Sequence, residues 1–299
     1  MENIQISKIC GLCAGCKNAI DTATKSKALG KNTCLFKEIV HNKNINQKLL
    51  ESGIKMKENL SKLSKDDFVI ICAHGEPPKT FEFLNKNKIE YADCTCVNVK
   101  KIHSEIQKYS NFGYVIFLIG KYGKSTGVMH PEILGSSGYS KLPPILIEDA
   151  EDLSKANSIF GQKCFITFQT TFNEQKAMGL LNSLKNILEK DHCEVEVFNS
   201  ICGAQKSINK FSAELAKTCD LMIVVGGKNS SNTKELFENV KKITNSIFLE
   251  NIYDYKSELE NNGIKLSKNI QIGLTAGAST ERLELETLKT LLENDIRNL

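Results

Sequence analysis

Tryptophan is absent from this sequence and arginine nearly so, with only Arg282 and Arg297 present. The guanidinium fork is the side chain best shaped to grip a phosphate at two points. A phosphate site built on an arginine cluster is therefore excluded, and any such site must draw on His, Ser, Thr, Asn, Lys or backbone N–H groups. Proline is scarce, at five residues, and no Pro/Gly/Ser-rich linker or low-complexity tract divides the chain. Long apolar runs are missing too: no window reaches the roughly 18 residues a membrane helix needs. The segment from Met1 to Ile9 has neither a basic n-region nor a long apolar stretch, so the expectation is a cytoplasmic protein without a membrane partner. The net charge of +4 comes from lysines scattered among acidic residues, with no basic stripe, and nucleic-acid binding is not expected.

Cysteine, by contrast, is plentiful, at eleven residues in a chain of 299. In a reducing compartment such thiols serve as metal ligands, nucleophiles or small buried apolar groups more often than as disulfides. Cys34, Cys72, Cys164, Cys193 and Cys219 lie in or beside apolar runs and read as core residues.

Apolar runs of strand length recur at Phe68 to Cys72, Tyr114 to Ile119, Cys164 to Phe168, Leu221 to Val225 and Ile270 to Leu274, separated by stretches of helical period. This alternation predicts an α/β protein with parallel sheets. Several runs end in polar clusters, at the strand ends where such folds place ligands. A weak repeat suggests more than one unit. Cys96 precedes a helical pattern and then a strand ending at Gly120; Cys202 precedes another and a strand ending at Gly226, with identical Cys-to-Gly spacing. Cys13 is followed by a helix-like stretch, Ala14 to Ala28, a stop at Gly30 and a strand-like Cys34 to Val40. The expectation is three similar α/β domains in pseudo-threefold arrangement, spanning 14–98, 99–198 and 199–299, joined by an N-terminal strand within 1–13.

A cysteine at a helix N-terminus sits near unpaired N–H groups and the positive end of the helix dipole, which favours the metal-binding thiolate. Three such thiolates would leave one iron of a 4Fe–4S cluster open to substrate. Other cysteine pairings stay open at this level. Cys10, Cys13 and Cys16 form C-x-x-C-x-x-C, half of a bacterial ferredoxin motif without its C-P partner, and Cys94 with Cys96 lacks the second pair a zinc site would need.

In order along the chain stand Gly11-Leu12-Cys13-Ala14-Gly15, Ile39-Val40-His41-Asn42, Ala73-His74-Gly75, Asp93-Cys94-Thr95-Cys96, His130-Pro131-Glu132, Gln169-Thr170-Thr171, Ile201-Cys202, Lys228-Asn229-Ser230-Ser231-Asn232 and Thr275-Ala276-Gly277-Ala278-Ser279. This succession, over nearly the whole chain, resembles the 4-hydroxy-3-methylbut-2-enyl diphosphate reductase family of isoprenoid biosynthesis. The resemblance implies three α/β domains around a central 4Fe–4S cluster. It also implies reductive loss of an allylic hydroxyl to give isopentenyl and dimethylallyl diphosphate, with electrons from a ferredoxin- or flavodoxin-type donor. By the same resemblance Cys13, Cys96 and Cys202 are the cluster ligands. His41, His74, Ser230, Ser231, Asn232 and Ser279 match the diphosphate-binding groups, and Glu132, His130 and Thr170 or Thr171 the proton-delivery network.

The sequence departs from the family pattern in three places. Extra residues lie within Lys121 to Met129, ahead of the His-Pro-Glu motif; Cys94 stands where a small apolar residue is usual; and Cys10 and Cys16 flank the first ligand. Two rival readings have different consequences: a cluster dehydratase resembling quinolinate synthase, which would ignore allylic diphosphates, and a non-catalytic iron–sulfur or zinc protein, for which the polar clusters around Lys228 to Asn232 and His130 to Glu132 have no purpose.

Overall fold

A computed structural model describes residues 3–40, 42–124, 126–228 and 230–299, apart from the side chain of Ser231. Among these residues the strands, in chain order, are β1 (Ile4–Ile6), β2 (Thr33–Phe36), β3 (Lys55–Lys57), β4 (Phe68–Ile71), β5 (Glu90–Asp93), β6 (Val115–Ile119), β7 (Ile145–Ile147), β8 (Lys163–Phe168), β9 (Glu194–Phe198), β10 (Leu221–Val225), β11 (Asn245–Leu249) and β12 (Ile272–Ala276). The α-helices are α1 (Ala14–Ala28), α2 (Lys43–Glu51), α3 (Pro78–Lys86), α4 (Val97–Asn111), α5 (Pro131–Ser137), α6 (Glu174–Lys190), α7 (Gly203–Ala216), α8 (Ser231–Lys241), α9 (Tyr255–Asn261) and α10 (Arg282–Arg297).

The strands form three four-stranded parallel sheets with the orders β1-β12-β10-β11, β3-β2-β4-β5 and β7-β6-β8-β9. The expected α/β class with small parallel sheets is what the chain adopts. The chain divides into two compact units, one of Met1–Lys17, Val40–Gly53 and Gly203–Leu299, the other of Asn18–Ile39 and Ile54–Cys202.

The first unit holds the sheet of β1, β12, β10 and β11. One of its two inner strands, β10, Leu-Met-Ile-Val-Val, is buried throughout, as a parallel strand covered on both faces should be. β1 returns to pair with β12, Ile4 opposite Ile272. The core on one face joins Leu221, Ile223 and Val225 to Leu285, Leu288 and Leu292 of α10; on the other, Met222 and Val224 meet Ile208 of α7 and Leu236 of α8.

The second unit holds the other two sheets. Phe117, Phe168 and Ile166 pack on the Leu180, Leu184 and Leu188 stripe of α6, spaced for one helix face. Ile102 and Ile106 of α4 cover Ile116 and Phe165 on the opposite side.

Two of the expected strands differ. The run from Cys34 to Val40 stops pairing at Phe36, because Lys37 takes φ +69 and turns the backbone out of the sheet, although Ile39 and Val40 stay buried. The last strand lies two residues later than its apolar run: β12 is central, bonded to β1 and β10, so it continues through the buried Thr275 and Ala276. Among the supposed core cysteines, Cys34, Cys72, Cys164 and Cys193 are buried, but Cys219 is only half-buried.

Candidate active site

The same hydrogen bond recurs at one end of each sheet. After β5 the chain runs beside the end of β4, where the N–H of Cys96 donates to the carbonyl of Ala73 at 3.0 Å. After β9 it runs beside the end of β8, and the Cys202 N–H donates to Thr170 O at 2.7 Å. After β1 it runs beside the end of β12, and the Cys13 N–H donates to Ala278 O at 3.1 Å. In all three places the cysteine immediately precedes a helix, α4, α7 or α1. In all three the accepting carbonyl belongs to a polar cluster at a strand's C-terminal end, beside His74, Thr171 or Ser279.

Within the second unit these backbone ties bring the expected chemical groups into contact. Glu132, the second residue of α5, is 2 % exposed, so it is not a solvated surface carboxylate. One of its carboxylate oxygens accepts the Thr170 N–H at 2.6 Å and the other accepts the Thr170 hydroxyl at 2.8 Å. Burial pushes its pKa above the ordinary glutamate value, against the lowering effect of the Thr170 bonds and of His74. The α5 N-cap is His130, whose Nδ1 accepts the Glu132 N–H at 3.2 Å. A neutral His130 ring therefore carries its proton on Nε2. His130 meets His74 edge to face, with ring centroids 5.4 Å apart, and His74 Nδ1 lies 3.6 Å from Cys72 Sγ.

The extra residues after β6 leave this arrangement intact because their loop is closed at its base. The His130 N–H donates to Lys121 O at 3.1 Å, so the segment leaves and returns at one point. An acidic stretch after β7 holds the loop: Glu148 accepts the N–H groups of Tyr122, Gly123 and Lys124 at 3.0, 3.1 and 3.2 Å. Lys124 pairs with Asp149 and Glu151, and the Tyr122 hydroxyl donates to Asp152 at 2.7 Å. Pro131 thus starts α5 from the base of the loop, and Glu132 reaches Thr170.

Within the first unit, Ser230 is the N-cap of α8 and accepts the Thr233 N–H at 3.3 Å. Ser231 and Asn232 form the first turn of that helix, a position whose N–H groups suit an anion. Ser279 is buried and its hydroxyl has no hydrogen-bond partner among the described residues. Its carbonyl accepts from Asn42 Nδ2 at 2.9 Å. The helix that follows, α10, begins at Arg282 with Glu281 as its N-cap. His41 lies outside the described residues, as does the side chain of Ser231.

Several of the other cysteines are held as protonated thiols. Burial pushes the thiols of Cys34 and Cys72 up to about 11 and that of Cys164 up to about 12. Cys10 and Cys94 are raised for the same reason. A thiol held protonated is a poor metal ligand. The three helix-leading cysteines are each half-buried, and soft sulfur donors fixed by their own N–H groups suit an iron–sulfur cluster. Among the described residues no three His, Cys, Asp or Glu side chains are gathered closely enough to hold a metal ion. Cys96 and Cys202 belong to one unit and Cys13 to the other.

The family model described as LytB protein matches residues 4–293. The chain belongs to the LytB family. Among its relatives, the 4-hydroxy-3-methylbut-2-enyl diphosphate reductase of Clostridioides difficile (strain 630) is 32 % identical over 98 % of this chain and 99 % of its own length. The reductase of the same name from Helicobacter pylori (strain Shi470) is 33 % identical, with 96 % and 97 % covered. Two solved structures share the fold. One is of (E)-4-hydroxy-3-methyl-but-2-enyl diphosphate reductase, the terminal enzyme of the non-mevalonate pathway, with TM-score 0.75, 28 % identity and 98 % of this chain and all of that chain covered. The other is the E-1-hydroxy-2-methyl-but-2-enyl-4-diphosphate reductase from Plasmodium falciparum, with TM-score 0.81, 28 % identity and coverage of 96 % and 87 %. LytB proteins are iron–sulfur enzymes, and the quinolinate synthase-like and non-catalytic readings are set aside. Among the described residues no helix is long and apolar enough to cross a membrane.

Two further residues, neither given a role by the family resemblance, touch these groups. Gln169 accepts the Lys121 N–H on Oε1 at 2.9 Å and donates from Nε2 to the Thr171 hydroxyl at 3.0 Å, joining the closed loop to the threonine pair. Asn98, in the first turn of α4, donates from Nδ2 to Cys202 Sγ at 3.6 Å. The sequence gives no sign of the second contact, which spans more than one hundred positions of chain.

Proposed function

We propose that this LytB chain reductively removes the allylic hydroxyl of 4-hydroxy-3-methylbut-2-enyl diphosphate, giving isopentenyl and dimethylallyl diphosphate. The observation that carries the reading is the repeated placement of Cys13, Cys96 and Cys202 at the ligand-binding ends of three parallel sheets, each beside a different polar cluster. These three thiolates would hold one 4Fe–4S cluster with one iron left without a protein ligand. When bound, the cluster would pass on two electrons from the external donor and would supply a Lewis-acidic iron.

The protein's own groups supply the rest. Replacing C–OH by C–H consumes two electrons and two protons and releases water, so the leaving oxygen must be protonated. Glu132 is suited to deliver that proton, because burial raises its pKa while Thr170 fixes both of its oxygens. Thr170 and Thr171 offer hydroxyls for passing it on, and His130, protonated on Nε2, takes part beside them. The diphosphate is assigned to His41 and His74 and to Ser230, Ser231, Asn232 and Ser279. The buried Ser279 hydroxyl, without a partner among the described residues, and the first turn of α8 support that assignment. These groups do without guanidinium forks, as the shortage of arginine requires.

We propose as well a cytoplasmic location, a ferredoxin- or flavodoxin-type electron donor, and three domains at 14–98, 99–198 and 199–299 joined through 1–13. In support of the last, the strands of each sheet fall within one range apart from β1. The test is anaerobic reconstitution with iron and sulfide, then reductive turnover of 4-hydroxy-3-methylbut-2-enyl diphosphate, with both C5 diphosphates expected as products. An iron-loaded protein that leaves this alcohol unchanged would sink the proposal.

A further inference from the structure

Cys202 is fixed from two directions by residues of its own unit. Its N–H is tied to Thr170 O, and its sulfur lies 3.6 Å from Nδ2 of Asn98. Asn98 is an exposed residue two positions beyond Cys96, the N-cap of α4. An exposed amide in the first turn of a helix needs no partner for folding, since water satisfies it equally well. This one is instead directed at a sulfur, and the amide nitrogen is a donor only.

We infer that Asn98 raises the reduction potential of the cluster by hydrogen bonding to the Cys202 sulfur. The inference rests on the cluster reading above. Reduction places additional negative charge on a cluster and its thiolates, so an N–H donor at one of those sulfurs stabilises the reduced form more than the oxidised form. Hydrogen bonds to sulfur are among the determinants of iron–sulfur potentials. Asn98 is thus a positioning and tuning residue. It acts through a ligand and does not touch substrate.

The reconstituted full-length chain is compared with Asn98→Leu and Asn98→Asp by redox titration followed by electron paramagnetic resonance, without substrate, alongside iron analysis. Leu keeps the approximate volume and removes the donor, and its cluster should be reduced only at more negative potential, with iron content unchanged. Asp replaces the donor with an anion and should shift the potential further in the same direction. Asp in the first turn favours the helix, so loosening of α4 would not account for that order. Equal potentials in all three proteins, or a Leu variant shifted to more positive potential, would overturn the inference alone. A wild-type chain that takes up no iron would overturn the cluster reading and this inference with it.

Discussion

At the scale of single residues, Glu132 separates a chemical role from a structural one. Glu132→Gln keeps size and one acceptor but has no titrating proton. Turnover should fall by about 10²- to 10⁴-fold, the usual contribution of general acid catalysis, while iron content and substrate affinity hold. Single-turnover assays with calorimetry on the same preparations check this; near-normal turnover would move the acid elsewhere. The pKa shift adds a second signature. Because burial raises the folded-state pKa of Glu132 above its unfolded value, the wild type is favoured below the ordinary glutamate range and loses that stability as pH rises through the raised value. The melting temperature of Glu132→Gln relative to wild type should therefore increase as pH rises from below the ordinary glutamate range through the raised value. A difference independent of pH would show that Glu132 does not titrate abnormally.

At the scale of elements, the turn after β4 is set by contact as well as by conformation. Gly75 has φ +76, and a Cβ there would stand 2.7 Å from His103 Cε1 and 2.9 Å from Thr95 Cγ2. His103 has little room to yield: it is buried, stacked on Tyr139 at 4.1 Å, and its pKa is pushed down by burial to about 4. Gly30, past the end of α1, has a similar φ of +78 with nothing within 4 Å. Gly30→Ala should cost about 1–2 kcal/mol, the penalty of the left-handed region alone. Gly75→Ala should cost clearly more in urea unfolding and should also lower activity, because His74 is its neighbour. Equal costs would mean that the close approach relaxes freely.

Legibility in the sequence follows the same physics. β10 carries an unbroken apolar signal, and both it and α1 match their expected bounds. The edge strands β5 and β9, Glu-Tyr-Ala-Asp and Glu-Val-Glu-Val-Phe, are half-exposed and carry too little apolar character to mark themselves. Lys37 gave no warning of its positive φ. Site residues were legible only as ordered fragments. That Glu132 grips Thr170 across 38 positions depends on how the loop from Lys121 to His130 closes, which periodicity does not encode.

At the scale of the whole molecule, the eleven cysteines allow a test in which thiols of one chemical type are sorted by fold position alone. Cys34 and Cys193 are buried within the cores of two different sheets, and burial holds the Cys34 thiol well above the range in which thiolate forms at neutral pH. Cys34→Ala and Cys193→Ala should thus take up iron and sulfide like the wild type, with some loss of stability from the small cavities. Cys13→Ser, Cys96→Ser and Cys202→Ser each remove one of the three helix-leading thiols and should lose most or all of the cluster. Cys10→Ser provides the comparison that decides between arrangements. Cys10 packs against the core and donates to Ser7 O at 3.2 Å, so its loss should leave iron content unchanged, whereas a ferredoxin-like use of Cys10, Cys13 and Cys16 would make it as damaging as Cys13→Ser. Iron analysis and Mössbauer spectra of the six variants report both amount and site symmetry. If all six bind iron equally, none of these thiols is a ligand. If only Cys10→Ser and Cys13→Ser fail, the cluster belongs to the N-terminal motif, and the recurring hydrogen bonds at the three sheet ends are a property of the fold rather than of the active site.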